Sequence, residues 1–264
     1  MPDKQNFVLI TGATSGIGYQ LARLFAADKY NLVIVSRNLK ELEMVATELR
    51  QNDVEVIPIA KDLFVREEAF ALCEEIRDRR IEVDILVNDA GQGVYGLFKD
   101  NDIQRELDIV DLNVSSLLIL TKYFVQQMEA KKSGKILNLA SIAGTVPGPW
   151  QAVYHATKAF VLSFSEALRS ELKDSGVTVT ALLPGITNTD FFEKADMQDS
   201  KAVQDKSKMA DPADVARDGY NALMAGKDKV VSGLKNKMRV AMSNVTPYTT
   251  LADQMKEEQK PAYK

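Results

Sequence analysis

Tyr154 and Lys158 stand four residues apart in Tyr154-His155-Ala156-Thr157-Lys158, inside a segment whose helical period spans residues 153–174. That spacing projects both side chains from one face, one turn apart. A phenol with an ordinary pKa of about 10 is a poor base near neutrality, and a neighbouring ammonium favours the phenolate. The pair can therefore exchange a proton with a substrate oxygen. It also arises readily on any amphipathic helix, so its meaning depends on what surrounds it. His155, the chain's one histidine, has no Ser/His/Asp company and points away from the Tyr154 face, so no catalytic role is expected of it. One cysteine and one histidine are too few for an ordinary zinc site, so no metal is expected. Cys73, beside the apolar stripe of Phe70-Ala71-Leu72-Cys73-Glu74-Glu75-Ile76, reads as a buried inert thiol.

A second chemical signal opens the chain. Thr11-Gly12-Ala13-Thr14-Ser15-Gly16-Ile17-Gly18 follows a first apolar strand and begins a helix. Gly12 allows a tight turn, Gly16 a close backbone approach and Gly18 contact between helix and strand. The helix start presents free N–H groups to a pyrophosphate. The first gap is wider than in the common G-x-G-x-x-G, yet the strand–turn–helix placement supports a dinucleotide site. The second strand, Leu32-Val33-Ile34-Val35, ends in Ser36-Arg37-Asn38. An acid there would hold the 2′-hydroxyl of NAD, whereas a guanidinium suits a phosphate dianion. Arg37 therefore favours NADP(H) over NAD(H).

The elements that must position these groups alternate. Short apolar runs at 7–11, 31–36, 54–60, 85–88, 135–140 and 177–183 read as strands buried on both faces. Helical periods lie between them at 17–27, 39–51, 67–79, about 103–130, and 153–174. Strand then helix, repeated, predicts an α/β fold: a doubly wound, Rossmann-like parallel sheet with helices on both faces. No Pro/Gly/Ser-rich linker interrupts it, so one catalytic domain is expected over 1–264, with a core of about 6–225. After Pro184-Gly185 the pattern weakens, and residues 186–210 suggest a mobile flap of short helical pieces. Pro212 fits the first turn of another helix. The tail, 226–264, suggests an edge strand and a helix packed on the domain or a sister subunit, in preference to a membrane-surface role. A net charge of −4 implies no broad attraction to nucleic acid or anionic membrane. With neither a leader-like N-terminus nor an apolar stretch near about 20 residues, a cytoplasmic location without membrane insertion is expected.

With these motifs in view, the chain resembles the short-chain dehydrogenase/reductase family over about residues 6–190. The family's T-G-x-x-x-G-x-G turn matches Thr11 to Gly18, and its adenine-contacting acid matches Asp62, followed by Leu63. N-N-A-G matches Asn88-Asp89-Ala90-Gly91, with Asp89 in place of the second asparagine. The catalytic asparagine, serine and Y-x-x-x-K match Asn113, Ser141, Tyr154 and Lys158. P-G matches Pro184-Gly185, with Thr187 and Thr189 where members contact the nicotinamide carboxamide. The resemblance implies a sheet of about seven strands, and a homodimer or homotetramer joined through the two long helices. It assigns cofactor contacts to Thr14, Ser15, Ile17, Asn88, Ala90, Gly91, Tyr154 and Lys158 beside the glycines. Lys158 would also bond the nicotinamide ribose, Asn113 would hold a relay water, and Ser141 would hold the substrate oxygen that Tyr154 protonates.

Substrate is expected above the strand ends, among Gln92, Val94 and Tyr95; Pro147, Pro149 and Trp150; and Phe191 with Phe192. Such an apolar lining suits a hydrophobic ketone, aldehyde or secondary alcohol. Trp150 reads equally as loop packing. Two other functions fit the pattern: a dinucleotide-binding regulatory protein without turnover, and an isomerase or lyase on the same fold.

Overall fold

The computed structural model describes residues 7–262. Seven strands, β1 (Phe7–Thr11), β2 (Asn31–Ser36), β3 (Val56–Ala60), β4 (Val83–Asn88), β5 (Gly134–Leu139), β6 (Val177–Leu183) and β7 (Lys229–Val231), form one sheet in the order β3-β2-β1-β4-β5-β6-β7. Every neighbouring pair is parallel. Strand rows explain the layers, because alternate residues face opposite sides of a strand. Val8, Ile10, Leu32 and Ile34 pack with Leu21 and Phe25 of α1 (Gly16–Ala27), Leu42 of α2 (Leu39–Leu49) and Val215 of α8 (Pro212–Met224). Leu9, Val33, Val35 and Leu86 pack on the other side with Leu72 of α3 (Arg66–Asp78), Phe124 of α5 (Leu117–Lys131) and Leu168 of α6 (Ala152–Glu171).

The expected sheet is therefore present, with strand limits moved by one or two residues. One long element differs. The helix expected over about 103–130 is α4 (Ile103–Val110) and α5 joined by a π-helical turn, Asp111–Ser116. A π turn holds one extra residue per bond and displaces the side chains it carries. Asn113 lies in it.

Helix starts follow local capping chemistry. Asn38 Oδ1 accepts from the N–H groups of Lys40 at 3.0 Å and Glu41 at 3.4 Å, and Asp211 accepts from Ala213 N at 2.8 Å with Pro212 in the first turn of α8. Residues 186–210 carry only α7 (Phe191–Lys194) and two single 3₁₀ turns, matching the expected short helical pieces. The tail forms edge strand β7, then α9 (Leu234–Ser243) and α10 (Tyr248–Gln259).

A buried polar ladder ties the middle of the sheet to its helices. Asn88 Nδ2 donates to Thr121 Oγ1 at 3.0 Å and to Asn138 Oδ1 at 2.9 Å, and Asn138 Nδ2 donates to Ser165 Oγ at 2.9 Å. These bonds fix α5 and α6 against β4 and β5, although the buried Asn88 Oδ1 has no partner among the described residues. Phe124, on α5, is fully buried beside this ladder. Phe124→Ala is expected to lower unfolding stability by about 3–5 kcal/mol; urea denaturation of the purified variant checks it, and a loss below 1 kcal/mol would mean that the cavity collapses freely.

Candidate active site

The C-terminal ends of the strands open into a cavity of about 930 Å³. Register aligns the ends: Thr11 pairs with Asn88, Asn88 with Asn138, and Leu139 with Leu182. Sequence reversal of the strand order falls between β1 and β4, where the chain leaves in opposite directions and a crevice results.

At one end of this crevice the glycine turn meets α1. Gly12 takes a left-handed φ of 73°, which a side chain rarely adopts, and a Cβ there would stand 3.0 Å from Ala90 N. A Cβ on Gly18 would stand 2.4 Å from Asp89 Oδ2 and 2.5 Å from the Gly12 carbonyl oxygen. The third glycine thus answers to its own turn and to Asp89, beyond the helix–strand contact expected of it. The Ser15 hydroxyl, at the N-cap position, accepts no N–H of α1. Its hydroxyl donates instead to the Asp190 carboxylate at 3.1 Å. An uncapped helix start, lined by Gly12, Thr14, Ser15, Gly16 and Ile17, is the donor set that a diphosphate requires.

Arg37 lines the same cavity beyond β2. It is exposed, and its guanidinium lies 5.0 Å from the centre of the Phe64 ring, with that of Arg105 at 5.4 Å. Stacking on a ring orients the planar fork and leaves its N–H edge available. Asp62 and Leu63 line the adjoining wall, where Asp62 Oδ1 accepts from Phe64 N at 3.2 Å. The residues present thus fit a dinucleotide carrying an additional phosphate.

The other half contains the proton-transfer candidates. Ser141, Tyr154 and Lys158 all line the cavity. Burial pushes the Tyr154 phenol up to about 12, against a smaller lowering by the Ser141 hydroxyl. Lys158 Nζ donates to the Leu139 carbonyl at 2.7 Å and lies 5.9 Å from the centre of the Tyr154 ring. Burial lowers it to about 8, while Asp89 pulls it upward. Asp89 itself is pushed up to about 7 by burial, against the pull of Lys158 and the Gly18 N–H.

Asn113 does not reach the cavity; it stands behind the wall. Its Oδ1 accepts from Gln92 N at 3.0 Å, and its Nδ2 donates to the Gln92 carbonyl at 2.9 Å and to Thr157 Oγ1 at 3.0 Å. Thr157 Oγ1 in turn donates to the Tyr154 carbonyl at 2.7 Å. Asn88 also lies behind the wall, in the polar ladder, while Ala90, Gly91, Pro184, Gly185, Thr187 and Thr189 line the cavity. His155 is buried, with Nδ1 2.9 Å from the Val146 carbonyl and Nε2 3.0 Å from Gln259 Nε2. Burial lowers its pKa, so the neutral ring bridges two segments. Cys73 is buried and its thiol is pushed up to about 12, as suits an inert group.

Of the expected substrate residues, Gln92 and Phe191 line the cavity, as does Phe192. Val94 and Trp150 do not. Trp150 holds a left-handed φ of 72° and stacks on Tyr95, with ring centres 5.7 Å apart, so it packs the loops against each other. Missed by sequence reasoning were Arg239, Met255, Glu258 and Gln259, which close the cavity from α9 and α10. The mixed composition of the tail gave no motif; only the spacing of Leu251 and Met255, both buried, marks an inward face.

The family profile described as short chain dehydrogenase matches residues 6–200. An uncharacterized oxidoreductase of Staphylococcus aureus strain MRSA252 is 31% identical over 219 residues, covering 83% of this chain and 91% of that protein. Among solved structures, a short-chain dehydrogenase from Sphingobium yanoikuyae in complex with NADPH superposes with a TM-score of 0.80 at 27% identity, covering 94% of this chain and 99% of the other. The bulky-bulky ketone specific alcohol dehydrogenase from Comamonas testosteroni superposes with a TM-score of 0.77 at 27% identity, covering 91% and 93%.

The buried carboxyl gives the site a pH signature. An aspartate in an unfolded chain ionises near about 4, so between that pH and about 7 the folded protein holds a proton that the unfolded chain releases. Folding stability from this group therefore falls as pH rises through that window. Asp89→Asn should gain stability relative to the parent as pH rises from about 4 to about 7, read by urea denaturation at a series of pH values. A pH-independent difference would show that Asp89 ionises normally.

Proposed function

The chain belongs to the short-chain dehydrogenase family, and we propose that it is an NADP(H)-dependent oxidoreductase acting on a hydrophobic ketone or aldehyde, or on the corresponding alcohol. The observation that carries this reading is the shared cavity: Ser141, Tyr154 and Lys158 line one half, and the uncapped start of α1 with Arg37 lines the other. NADPH in the Sphingobium yanoikuyae neighbour supports the cofactor assignment.

When bound, the reduced dinucleotide supplies hydride to a carbonyl carbon, and its oxidised form accepts hydride in the reverse direction. Tyr154 gives its phenolic proton to the carbonyl oxygen. Its pKa of about 12 keeps it protonated at neutrality, in the form that the reductive direction needs. The Ser141 hydroxyl holds the same oxygen and orients it. Lys158, fixed by the Leu139 carbonyl, places its ammonium beside the phenol and stabilises the phenolate left behind. Asn113 acts one layer back, holding Gln92 and Thr157 so that the Tyr154 turn of α6 keeps its position.

Substrate preference follows from the walls. Phe191, Phe192, Met197 and Met255 present apolar surface on the Tyr154 side, and the ring centres of Phe191 and Tyr154 lie 5.1 Å apart. A bulky apolar carbonyl suits them better than a phosphorylated sugar. The Comamonas testosteroni neighbour, an alcohol dehydrogenase specific for bulky-bulky ketones, agrees with this preference. Exposed Ile103 and Leu107 on α4, with Phe160 on α6, support a homo-oligomer joined through these helices.

Two substitutions test the assignment. Tyr154→Phe should lower turnover of NADPH with apolar ketones and aldehydes by about 10²–10⁴-fold, while NADPH affinity by fluorescence titration stays within severalfold. Retained turnover would remove Tyr154 from the acid/base role, and cofactor binding by the parent chain without turnover on any carbonyl would favour a regulatory protein. Arg37→Asp should shift the ratio of kcat/KM values from NADPH toward NADH. An unchanged ratio would show that Arg37 does not read the extra phosphate.

A further inference from the structure

The tail was expected to pack on the domain, and α9 does so by one face only. Ser243 is buried, and Asn236 lies against Gly185 at the cavity rim. Among the described residues nothing covers the opposite face. Leu234, Met238 and Met242, spaced by four residues, are 74, 60 and 64% exposed. Val245 in the following turn and Tyr248 at the start of α10 are 84 and 67% exposed. Residues four apart align along a helix, so Leu234, Met238 and Met242 form one apolar ridge, and the exposed Val245 and Tyr248 follow it in the chain.

Charge on this segment is equally one-sided. From Lys229 to Ala252 there are four basic residues and no acidic one; Lys229 pairs with Glu166 and Arg239 with Glu258, so Lys235 and Lys237 carry the charge beside the ridge. On the helical wheel Lys235 and Lys237 fall on opposite flanks of the Leu234–Met238–Met242 ridge, and both are exposed. An outward apolar ridge with an ammonium group on each flank is the pattern of a helix lying in the plane of a bilayer interface, where apolar side chains enter the acyl boundary and lysines meet anionic headgroups. A second copy of this chain would require a self-complementary patch, and this one repels itself through its lysines. Among the described residues no helix is long and apolar enough to cross a membrane, so the contact is peripheral.

We propose that α9 with Val245 and Tyr248 docks this protein reversibly on anionic lipid surfaces. The same helix contributes Arg239 to the cavity wall, and α10 contributes Met255. Docking therefore brings this wall of the cavity to the lipid surface. The binding claim itself stands independently of the reaction.

The test is cosedimentation of the full-length protein with vesicles of phosphatidylcholine alone and of phosphatidylcholine containing about one third phosphatidylglycerol. Partition into the anionic vesicles is expected, weakened at high salt and absent from the neutral ones. Met238→Ser with Met242→Ser, and separately Lys235→Glu with Lys237→Glu, should each reduce partition about tenfold or more, with circular dichroism and NADPH affinity unchanged. The proposal is overturned by failure to bind anionic vesicles, by equal binding to neutral ones, or by undiminished binding of both double variants. It is also overturned if light scattering shows a dimer that the Met238/Met242 double variant dissociates.

Discussion

Parallel strands joined by right-handed crossovers place all intervening helices on one face unless the strand order reverses. Here it reverses once, between β1 and β4. From that single topological constraint the chemistry of the molecule follows. The chain leaving β1 turns one way into α1, the chain leaving β4 turns the other way, and the crevice between them lies where the first helix begins. A helix start with four free N–H groups is thereby opened toward the middle of the sheet instead of being covered by a neighbouring loop. Everything else in the cavity is placed relative to it, because β5 and β6 extend the same edge in register.

The second consequence is electrostatic. At the strand ends two buried groups of opposite charge, Asp89 and Lys158, lie in the wall of the crevice. Lys158 and Asp89 each pull the other toward its ionised form, while burial opposes both. The balance leaves the lysine near about 8 and the aspartate near about 7, so small changes in local charge alter either group. An anion at the start of α1 adds negative charge beside Asp89, whose Oδ2 stands close to Gly12 and Gly18. The glycine turn and Lys158 thus share one intermediary carboxylate, which an asparagine could not provide as a charge.

Much of this could be read in the sequence because strongly periodic, doubly buried strands have few alternatives. The six apolar runs, the glycine turn and the Tyr154–Lys158 spacing are local patterns, and local patterns survive folding. What escaped was carried by geometry between distant segments. The π turn that holds Asn113 leaves the apolar period of α4 and α5 nearly intact, so it has no one-dimensional mark. Trp150 had the composition of a pocket residue, but its left-handed backbone turns the ring onto Tyr95. The third glycine was read as a helix–strand spacer, although the nearest obstacles are the Gly12 carbonyl and the Asp89 carboxylate.

The C-terminal elements show why the far wall is the least legible part. Up to β6 each residue must satisfy a strand or helix face of the common sheet, and the apolar pattern records that demand. Apart from α8 and β7, the chain beyond it packs on what is already built, through single contacts instead of periodic ones. Tyr95 Oη donates to the Gln259 carbonyl at 2.6 Å, Ser200 Oγ donates to the same oxygen at 2.9 Å, and the Gln259 side chain meets His155. One residue near the end of α10 thereby joins the loop after β4, the segment after β6 and the helix of Tyr154. No composition or spacing foretells such a junction, since each partner is a single polar group on a different element. It leaves the shape of the cavity's outer half dependent on a few side chains, while the dinucleotide half depends on the backbone of the sheet.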